Sequence, residues 1–237
     1  MSGGGPVVDA VLAAAGHGRR MGDTPQRKQF LQLAGKPLLA YSLRALENCP
    51  EVRRILLAVN PEDLEWVRKE WLPAHARSAA VEVLEGGAER QDTVANALML
   101  VAHDCDAVLI HDGARPLAGR GLFERCIAAL PGYDGVVPVI PSRDTLKEVR
   151  EGLVARTLDR KSVYQVQTPQ VFRAEALLEA YRQARQEGFS STDDAALLER
   201  YGFRIRAVEG EAGNIKVTFP EDLAVAEALL RVRGSSN

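Results

Sequence analysis

The chain has 237 residues, of which 46% are hydrophobic and 26% are charged, so it is long enough to bury a full core in one domain, expected over residues 7–232. Its formal net charge of −2 excludes a global attraction to nucleic acid or to an anionic membrane, so any anion site must be local. The sequence contains neither an apolar run of membrane-spanning length nor a visible secretory signal, which predicts a soluble chain without membrane partners.

Strands and amphipathic helices alternate along the sequence. The predicted strands are Val7–Ala13, Arg54–Val59, Val81–Leu84, Ala107–His111, Gly135–Val139 and Phe203–Ala207. The predicted helices are Pro37–Glu47, Pro61–Glu70, Gln91–Ala102, Gly121–Ala129, Glu175–Gln186, Asp193–Tyr201 and Glu221–Val232. Several strands are continuous apolar runs, which is typical of parallel strands covered on both faces. This βαβ pattern predicts an open, doubly wound α/β sheet that binds ligands at the carboxyl ends of its strands.

The first predicted strand ends in a loop rich in small and cationic residues. Residues 11–28 read VLAAAGHGRRMGDTPQRK, so Gly16 and Gly18 precede Arg20 and Lys28. Glycines let backbone N–H groups approach a ligand closely, and arginine and lysine offset phosphate charge. The loop therefore predicts a polyphosphate site. The alternative is a surface turn whose charges are only solvated.

Two better-known phosphate loops do not fit this segment. The dinucleotide fingerprint G-x-G-x-x-G, started at Gly16 and Gly18, meets Met21 at its third glycine position. A P-loop requires Gly-Lys-Ser/Thr after the first glycine, and neither register supplies it. The mismatch at Met21 also disfavours a hydride-transfer dehydrogenase.

Gly86 and Gly87 follow the strand at Val81–Leu84, and Arg90 and Thr93 come shortly after them. Paired glycines permit contact with a flat ligand such as a base, and a threonine hydroxyl near a helix start adds a polar contact. The alternative, slightly favoured by this motif alone, is a helix cap preceded by a tight turn.

The strand at Ala107–His111 continues into the sequence HDGARP. Asp112 is placed where a carboxylate accepts hydroxyl groups or helps to hold a metal, and Arg115 is placed to bind a phosphate. A local ion pair between Asp112 and Arg115 that fixes the loop is the alternative. A histidine at a strand end, such as His111, is more often a packing residue.

Residues 142–168 break the strand–helix rhythm. The segment is polar and β-tending, and Glu151 and Gly152 form a plausible hairpin turn. We expect an arm that reaches towards a partner or a substrate, in which Thr145 and Arg160 converge on one anion if the hairpin folds back. A solvated hairpin face is the alternative.

Lys216 lies in a short, mostly apolar stretch before the last helix. A lysine held there either extends to water or points at an anion, and the stretch alone does not decide between them.

Cys49, Cys105 and Cys126 are odd in number and lack close metal-ligand spacing, which predicts reduced thiols in a cytoplasm. Cationic side chains outnumber acidic ones among these candidate sites, which favours reactions of phosphate groups over acid–base catalysis at an uncharged bond.

Eight motifs run in order from about Val8 to Leu230: LAAAGHGRRM with Lys28, GGAERQDTV, HDGARP, PSRDTLK, TLDR, QTPQVF, STDDAALLE and NIKVTFPEDLAVAE. Taken together, they resemble the motifs of the 2-C-methyl-D-erythritol 4-phosphate cytidylyltransferase family. The departures are mild, because Thr93 stands where serine is common and Gly113 stands where alanine is frequent. The resemblance implies a Rossmann-like, mostly parallel sheet flanked by helices, of the nucleotidyltransferase (GT-A-like) kind, with a protruding β-arm for dimerisation.

The resemblance also implies a reaction and its residues. CTP and methylerythritol phosphate would give the cytidine-diphospho alcohol and pyrophosphate, with Mg²⁺ bound mainly through the CTP phosphates and no protein metal ligand. Its implied catalytic residues are Arg20, Lys28 and Lys216. The residues implied around the cytosine are Ala14, Ala15, Gly16, Gly87 and Thr93; those implied around the alcohol are Asp112, Arg115 and Thr168. Thr145 and Arg160 would receive the substrate phosphate from the arm of the second subunit of a homodimer.

Two other functions stay open at this point. A cytidylyltransferase for another polyol phosphate, such as ribitol 5-phosphate, would share the nucleotide loops, and only the arm and the region near Asp112 would differ. The run from Arg143 to Lys147 favours methylerythritol phosphate without deciding the matter. A catalytically silent nucleotide-binding module would be expected to lack a triphosphate cation, whereas Arg20, Lys28 and Lys216 are all present.

Overall fold

The computed structural model of the chain describes residues 5–22, 26–78 and 80–234. Strand β1 (Val8–Ala14) is almost wholly buried and is apolar except for Asp9. Two 3₁₀ turns (Arg19–Met21 and Lys28–Phe30) and a small hairpin of β2 (Gln32–Leu33) and β3 (Lys36–Pro37) lead to helix α1 (Leu38–Glu47). The predicted phosphate loop is therefore bounded by short turns instead of opening a long helix.

The next elements build one half of the sheet. Strand β4 (Val52–Val59) is followed by one helical segment that changes type along its length: a 3₁₀ turn (Pro61–Asp63), α2 (Leu64–Trp66), a π-helical turn (Val67–Trp71) and α3 (Leu72–His75). Strand β5 (Val81–Glu85) and helix α4 (Arg90–Leu98) follow, and then β6 (Ala107–Asp112) and α5 (Arg120–Ala128).

The second half carries the arm. It consists of β7 (Gly135–Pro141), β8 (Lys147–Arg150), β9 (Leu153–Thr157), β10 (Tyr164–Val166) and β11 (Gln170–Arg173). Helices α6 (Ala174–Glu187) and α7 (Asp194–Arg200), strand β12 (Ile205–Glu209) and helix α8 (Pro220–Gly234) complete the described chain.

The main sheet is mostly parallel. Its order is β10-β7-β11-β6-β1-β4-β5, with β12 paired to β7. The pairs of β1 with β4 and β6, of β4 with β5 and of β7 with β12 are parallel, whereas β10 and β11 run antiparallel to their neighbours. The chain turns from β4 on one side of β1 to β6 on the other, so a switch point lies between β1 and β6, where open α/β sheets bind ligands.

Helices cover both faces of this sheet. Alternate residues of β1 point to opposite sides, so Leu12 packs in one core and Val11 in the other. The first core includes residues of α1 and α5, and the second includes residues of α4, α6 and α7. The predicted α/β fold with a mostly parallel, helix-flanked sheet is confirmed.

The structure corrects the sequence-based elements in several places. The predicted helix Gln91–Ala102 ends at Leu98, as α4 (Arg90–Leu98). The predicted helix Pro61–Glu70 extends to His75 and contains 3₁₀ and π turns. The predicted strand Phe203–Ala207 lies two residues further on, as β12 (Ile205–Glu209). Strand β11 was not predicted, because its four residues QVFR are too few to show a period.

The arm contains the predicted hairpin. Strands β8 and β9 pair antiparallel in a sheet of their own, and Glu151 and Gly152 between them have φ angles of 49° and 81°. Two successive positive φ angles are typical of the two-residue hairpin turn whose twist matches that of the flanking strands. The end of the segment differs from the expectation, because β10 rejoins the main sheet beside β7.

The helices of the described chain are all too short or too polar to cross a membrane.

Candidate active site

A pocket of about 420 Å³ opens at the carboxyl ends of the central strands. Ala13 of β1 is paired in register with Asp112 of β6, so the start of the glycine loop and the HDGARP loop lie side by side. The described lining residues include the cations Arg20, Lys28, Arg90 and Lys216. The structure therefore brings the three predicted catalytic cations, from both ends of the chain, to one pocket at the switch point.

The loop after β1 is shaped by Gly18. Its φ of 68° lies in the left-handed region, and an added Cβ would lie 2.9 Å from the Cβ of Lys28. Glycine at this position thus lets the two ends of the loop approach each other. The buried Gln29 side chain donates to the Ala14 carbonyl at 2.7 Å, which fastens the residue after Lys28 to the end of β1.

Arg27 anchors the same loop to the helical segment after β4. Its Nε lies 2.6 Å from an Asp63 carboxylate oxygen, and its guanidinium also pairs with Glu62. Next to it, the Phe30 ring packs edge-on against Trp66 and Trp71, with centroids 4.8 and 5.8 Å apart. Lys28 is therefore held between two anchored neighbours.

The ammonium group of Lys28 is in a strongly electropositive setting. Burial and the neighbouring charge of Lys216 lower the pKa of Lys28 to about 8, with Asp112 opposing and Arg20 adding to the effect. The side chain is still mostly protonated at pH 7. An anion entering the pocket would relieve the repulsion between the two ammonium groups.

Lys216 is paired with Asp112. Its Nζ lies 2.6 Å from Oδ2 of Asp112, and 38% of the lysine side chain is exposed. Burial opposes ionisation of Asp112, but the charges of Arg90, Lys216 and Arg115 hold the pKa of its carboxyl well below the usual range. Lys216 thus points into the site, and Asp112 is its counter-ion.

Main-chain contacts hold Lys216 in place. The Val217 amide donates to the Ala114 carbonyl at 2.9 Å, and the buried Asn214 side chain donates to the Thr168 carbonyl at 2.9 Å. Arg115 donates through Nη1 to the Asn214 carbonyl at 2.8 Å. The C-terminal segment is thereby fastened to the HDGARP loop on both sides of the lysine.

Three predicted or suspected site residues are largely engaged inside the protein. The Thr168 hydroxyl accepts from the Asp112 amide at 3.0 Å and lies 3.0 Å from Nδ1 of His111. Arg115 reaches the Asn214 and Val166 carbonyls, and its Nε stands 4.0 Å from Asp112. His111 packs against Phe123, and burial lowers its pKa to about 4, which agrees with the packing role expected from the sequence.

The paired glycines precede the cap of α4, and Gly87 lines the pocket. A Cβ on Gly86 would lie 2.1 Å from the Cβ of Ala15, and one on Gly87 would lie 2.2 Å from the Cβ of Asp92. Glu89 and Asp92 cap α4 reciprocally. The Thr93 hydroxyl accepts from the Gly87 amide at 3.0 Å. The helix cap that the sequence offered as the alternative reading of this motif is therefore present. The pocket is nevertheless lined by Ala14, Ala15, Gly16, Gly87 and Thr93.

Arg20 extends from the loop towards the start of α8. Its guanidinium carbon lies 5.7 Å from the centroid of the Phe219 ring, at the range of a cation–π contact. The side chain is exposed and lines the pocket. It is therefore at the mouth, free to contact the outer part of a bound polyphosphate.

The arm residues lie outside the pocket of the single chain. Thr145 and Arg160 are exposed and are not among the pocket's lining residues. Hydrogen bonds between Leu158 and Leu146 at 2.9 Å and between Ser142 and Val163 at 3.3 Å close the arm on either side of them. The two residues therefore lie in the same section of the arm, and their convergence on one anion stays a prediction.

The pocket offers few ligands to a metal. Among the lining residues that the structure describes, only Glu89 and Asp112 carry carboxylates, and Glu89 is engaged in capping α4. No cluster of three His, Cys, Asp or Glu side chains with metal-binding geometry occurs in the described residues. Mg²⁺ is commonly held by one or two carboxylates plus substrate phosphates, and Asp112 fits the first part of that pattern.

Two residues around the pocket have structural tasks that sequence analysis did not assign. Gln29 fastens the phosphate loop, and Arg90 bridges Asp112 and Asp194. Arg90 stood within the GGAERQDTV motif, but its acidic partners lie 22 and 104 positions away. Only the fold brings them together.

Comparison with known proteins places the chain in a family. The sequence profile of the IspD family, 2-C-methyl-D-erythritol 4-phosphate cytidylyltransferase, matches residues 8–232. The chain belongs to this family. A cytidylyltransferase of that name from Pelotomaculum thermopropionicum is 42% identical over 95% of both chains, and one from Aquifex aeolicus is 44% identical over 94% of this chain and 98% of that one.

Solved structures of the cytidylyltransferase family share the fold. The 4-diphosphocytidyl-2C-methyl-D-erythritol synthase of Anaerococcus prevotii superposes with a TM-score of 0.84 at 29% identity, covering 96% of this chain and all of that one. The chain is thus an enzyme of the nucleotidyltransferase class, and the resemblance found in its motifs is confirmed.

Proposed function

We propose that this chain transfers the cytidylyl group of CTP to 2-C-methyl-D-erythritol 4-phosphate in isoprenoid precursor biosynthesis. The products are 4-diphosphocytidyl-2-C-methyl-D-erythritol and pyrophosphate. The observation that carries the proposal is the meeting of Arg20, Lys28 and Lys216 at one pocket between β1 and β6. Such a pocket suits a triphosphate that is attacked by a second anion.

The nucleophile needs no general base. The second pKa of a phosphate monoester is about 6, so the attacking oxygen is largely ionised at neutral pH. That oxygen forms a bond to the α-phosphorus of CTP while the bond from the α-phosphorus to the bridging oxygen breaks, and pyrophosphate leaves with the electron pair. The nearby His111 is buried and neutral, and it serves as a packing residue.

The chemical obstacle is charge repulsion between the two phosphates. Lys28 precedes Asp112 in the sequence and Lys216 follows it, but both ammonium groups interact with the Asp112 carboxylate. The repulsion between the two ammonium groups is relieved when an anion binds next to them. Fixed cations that meet charge as it builds at a five-coordinate phosphorus act by preorganised electrostatics and in-line positioning. We assign Lys28 and Lys216 to the α-phosphate and Arg20, at the mouth, to the triphosphate.

The base is assigned to the opposite wall of the pocket. Ala14, Ala15, Gly16, Gly87 and Thr93 present small side chains and main-chain groups there. The absence of a side chain at Gly86 lets the Ala15 side chain pack against the Gly86 backbone. A planar cytosine fits such a surface, with main-chain groups next to its polar edge.

Asp112 is assigned to the hydroxyl groups of the alcohol substrate. Its carboxylate is ionised and fixed by Lys216 and Arg90, so it accepts hydroxyl hydrogen bonds without competing for a proton. Thr168 and Arg115, implied as further substrate contacts, already have internal partners. In this proposal they serve the site chiefly by holding Asp112 and the segment of Lys216.

Mg²⁺ is assigned to the CTP phosphates. Among the lining residues within the described ranges, Asp112 is the one carboxylate outside the cap of α4, so we assign most ligands of the ion to the nucleotide. When bound, the ion neutralises phosphate charge and helps to align the triphosphate. The protein contributes the cations around it.

The arm is assigned to a homodimer interface. Val149, Leu153 and Val154 on the hairpin are more than half exposed, which is a large apolar content for a two-stranded projection. Exchange of arms would bury them against a second copy and carry Thr145 and Arg160 to its pocket, where they receive the phosphate of methylerythritol phosphate. The three cysteines are buried and form no disulfide, which supports the prediction of a cytoplasmic enzyme.

Parallel assays of pyrophosphate release test the substrate. CTP is supplied with methylerythritol phosphate or with ribitol 5-phosphate, at equal enzyme and Mg²⁺ concentrations. We expect turnover with methylerythritol phosphate and little with ribitol 5-phosphate. Turnover with ribitol 5-phosphate alone would overturn the preferred substrate, and turnover with neither, while CTP still binds, would favour a silent nucleotide-binding module.

A further inference from the structure

A network of charged and polar side chains connects the pocket to the second core. Oδ1 of Asp112 accepts from Nε of Arg90 at 3.1 Å, and Nη1 of Arg90 lies 2.6 Å from Oδ2 of Asp194. The Tyr181 hydroxyl donates to the other oxygen of Asp194 at 2.5 Å. This network therefore connects α6 and α7 to Asp112, the counter-ion of Lys216.

The inner end of this network is fully buried. The side chain of Asp194 is 1% exposed, and burial raises its pKa, although Arg90 and Tyr181 act against that rise. Taking charges out of water is costly, and a buried ion pair is often no more stabilising than a well-packed apolar pair. Stability alone is therefore a weak reason for Asp194 and Arg90 to be charged.

The geometry gives Arg90 a directional effect on Asp112. The Asp112 carboxylate uses Oδ1 for Arg90 and Oδ2 for Lys216. With one oxygen fixed by a guanidinium, the plane of the carboxylate is fixed, and so is the position of the lysine ammonium on the other oxygen. Arg90 is in turn clamped between the two carboxylates Asp112 and Asp194.

The clamp has a rigid base. Asp194 is the first residue of α7, and the preceding Asp193 caps that helix through the Ala195 amide at 3.1 Å. Gln170 of β11 donates to Asp193 at 2.8 Å. The start of α7 is thus tied to the sheet, and Asp194 has little freedom to follow a displaced Arg90.

We propose that Arg90 and Asp194 are positioning residues for cytidylyl transfer, which hold the Asp112 carboxylate in the orientation that presents Lys216 to the reacting phosphate. This inference rests on the roles proposed above for Asp112 and Lys216. Neither Asp194 nor Tyr181 contacts the pocket, so their effect on the reaction passes through Arg90.

Neighbouring aspartates provide a matched test. Asp194→Asn keeps the shape of the side chain but places an amide against the Arg90 guanidinium, so Arg90 loses its anchor. A misplacement of about 1 Å in a catalytic group can cost about 10²-fold in rate, so we expect kcat/KM for methylerythritol phosphate to fall about 10- to 100-fold. Asp193→Asn is the control at the same helix start, because asparagine caps helices as well as aspartate does, and we expect a change within about twofold.

A split of kcat against KM separates positioning from simple loss of packing. If Arg90 holds Asp112 and, through it, Lys216, Arg90→Gln lowers kcat about 10- to 100-fold while the KM for CTP stays within about threefold. Arg90→Lys, which keeps a positive charge beside Asp112, is expected to restore kcat in part. Calorimetric CTP binding and thermal melting show which variants are folded.

Each result decides the proposal. It is supported if Asp194→Asn loses activity, Asp193→Asn does not, and Arg90→Gln lowers kcat with little change in the KM for CTP. It is overturned if folded Asp194→Asn matches Asp193→Asn, or if folded Arg90→Gln keeps the wild-type kcat. Should Asp194→Asn fail to fold, the comparison of Arg90→Gln with Arg90→Lys decides alone. A wild-type enzyme that releases no pyrophosphate would instead contradict the proposed function.

Discussion

Binding of CTP should take up a proton at Lys28. Burial and the charge of Lys216 lower the pKa of Lys28 to about 8 in the free enzyme. Phosphate oxygens around the ammonium would raise that pKa again, because opposite charge favours the protonated form. The complex therefore binds more protons than the free site above about pH 8, and the affinity for CTP falls as the pH rises.

The size of the effect follows from the protonated fraction of Lys28. With a pKa of about 8, this fraction is about 91% at pH 7 and about 9% at pH 9, so the Kd for CTP should rise roughly tenfold over that interval. The triphosphate itself remains ionised there, because its last pKa is near about 6. Proton uptake at pH 8 should be about half a proton per CTP bound.

Calorimetry in buffers of different ionisation enthalpy measures this uptake directly. Lys28→Arg is the matched control, because arginine stays protonated throughout the range and its CTP affinity should not vary between pH 7 and 9. A Kd for the wild-type enzyme that is constant over the same range, with no proton uptake at pH 8, would refute the proposed environment of Lys28.

Three further predictions test the pocket, its wall and the arm. Lys216→Met should lower kcat about 10²- to 10³-fold in a pyrophosphate-release assay, by analogy with the loss of one oxyanion-hole donor, and near-normal turnover would count against its role. Gly86→Ala places a Cβ 2.1 Å from that of Ala15, so thermal melting should show that the free energy of unfolding falls by about 1–3 kcal/mol. Gly121→Ala, whose added Cβ would have nothing within 4 Å, is the control and should leave the stability unchanged. Mixing inactive Arg20→Ala and Arg160→Ala subunits should restore part of the activity if the arm completes the partner's site, and confirmed subunit exchange without rescue would exclude a shared site.

Much of the sheet was predictable because its parallel strands are buried on both faces. The apolar runs that became β1 and β6 were found to within one residue at each end. Strand β11 escaped prediction because it is short and lies antiparallel between β6 and β7, an arrangement fixed by tertiary pairing. The π turn at Val67–Trp71 likewise has no signal in the hydrophobic period.

The site was predictable where chemistry is local and unpredictable where it depends on long-range contacts. Gly18 and Lys28 stand in one loop, so their composition alone indicated a polyphosphate site. The pairing of Lys216 with Asp112 joins residues 104 positions apart, and the sequence had left Lys216 undecided between water and an anion. The same distance hid the bridge from Arg90 to Asp194.

A structure of the enzyme with Mg²⁺ and a non-hydrolysable CTP analogue tests the central claim most directly. The proposal predicts the α-phosphate within hydrogen-bond distance of the Lys28 and Lys216 ammonium groups, with Arg20 on the triphosphate and the cytosine against Ala15 and Gly87. A triphosphate bound elsewhere, or an α-phosphate touched by neither lysine, would contradict it.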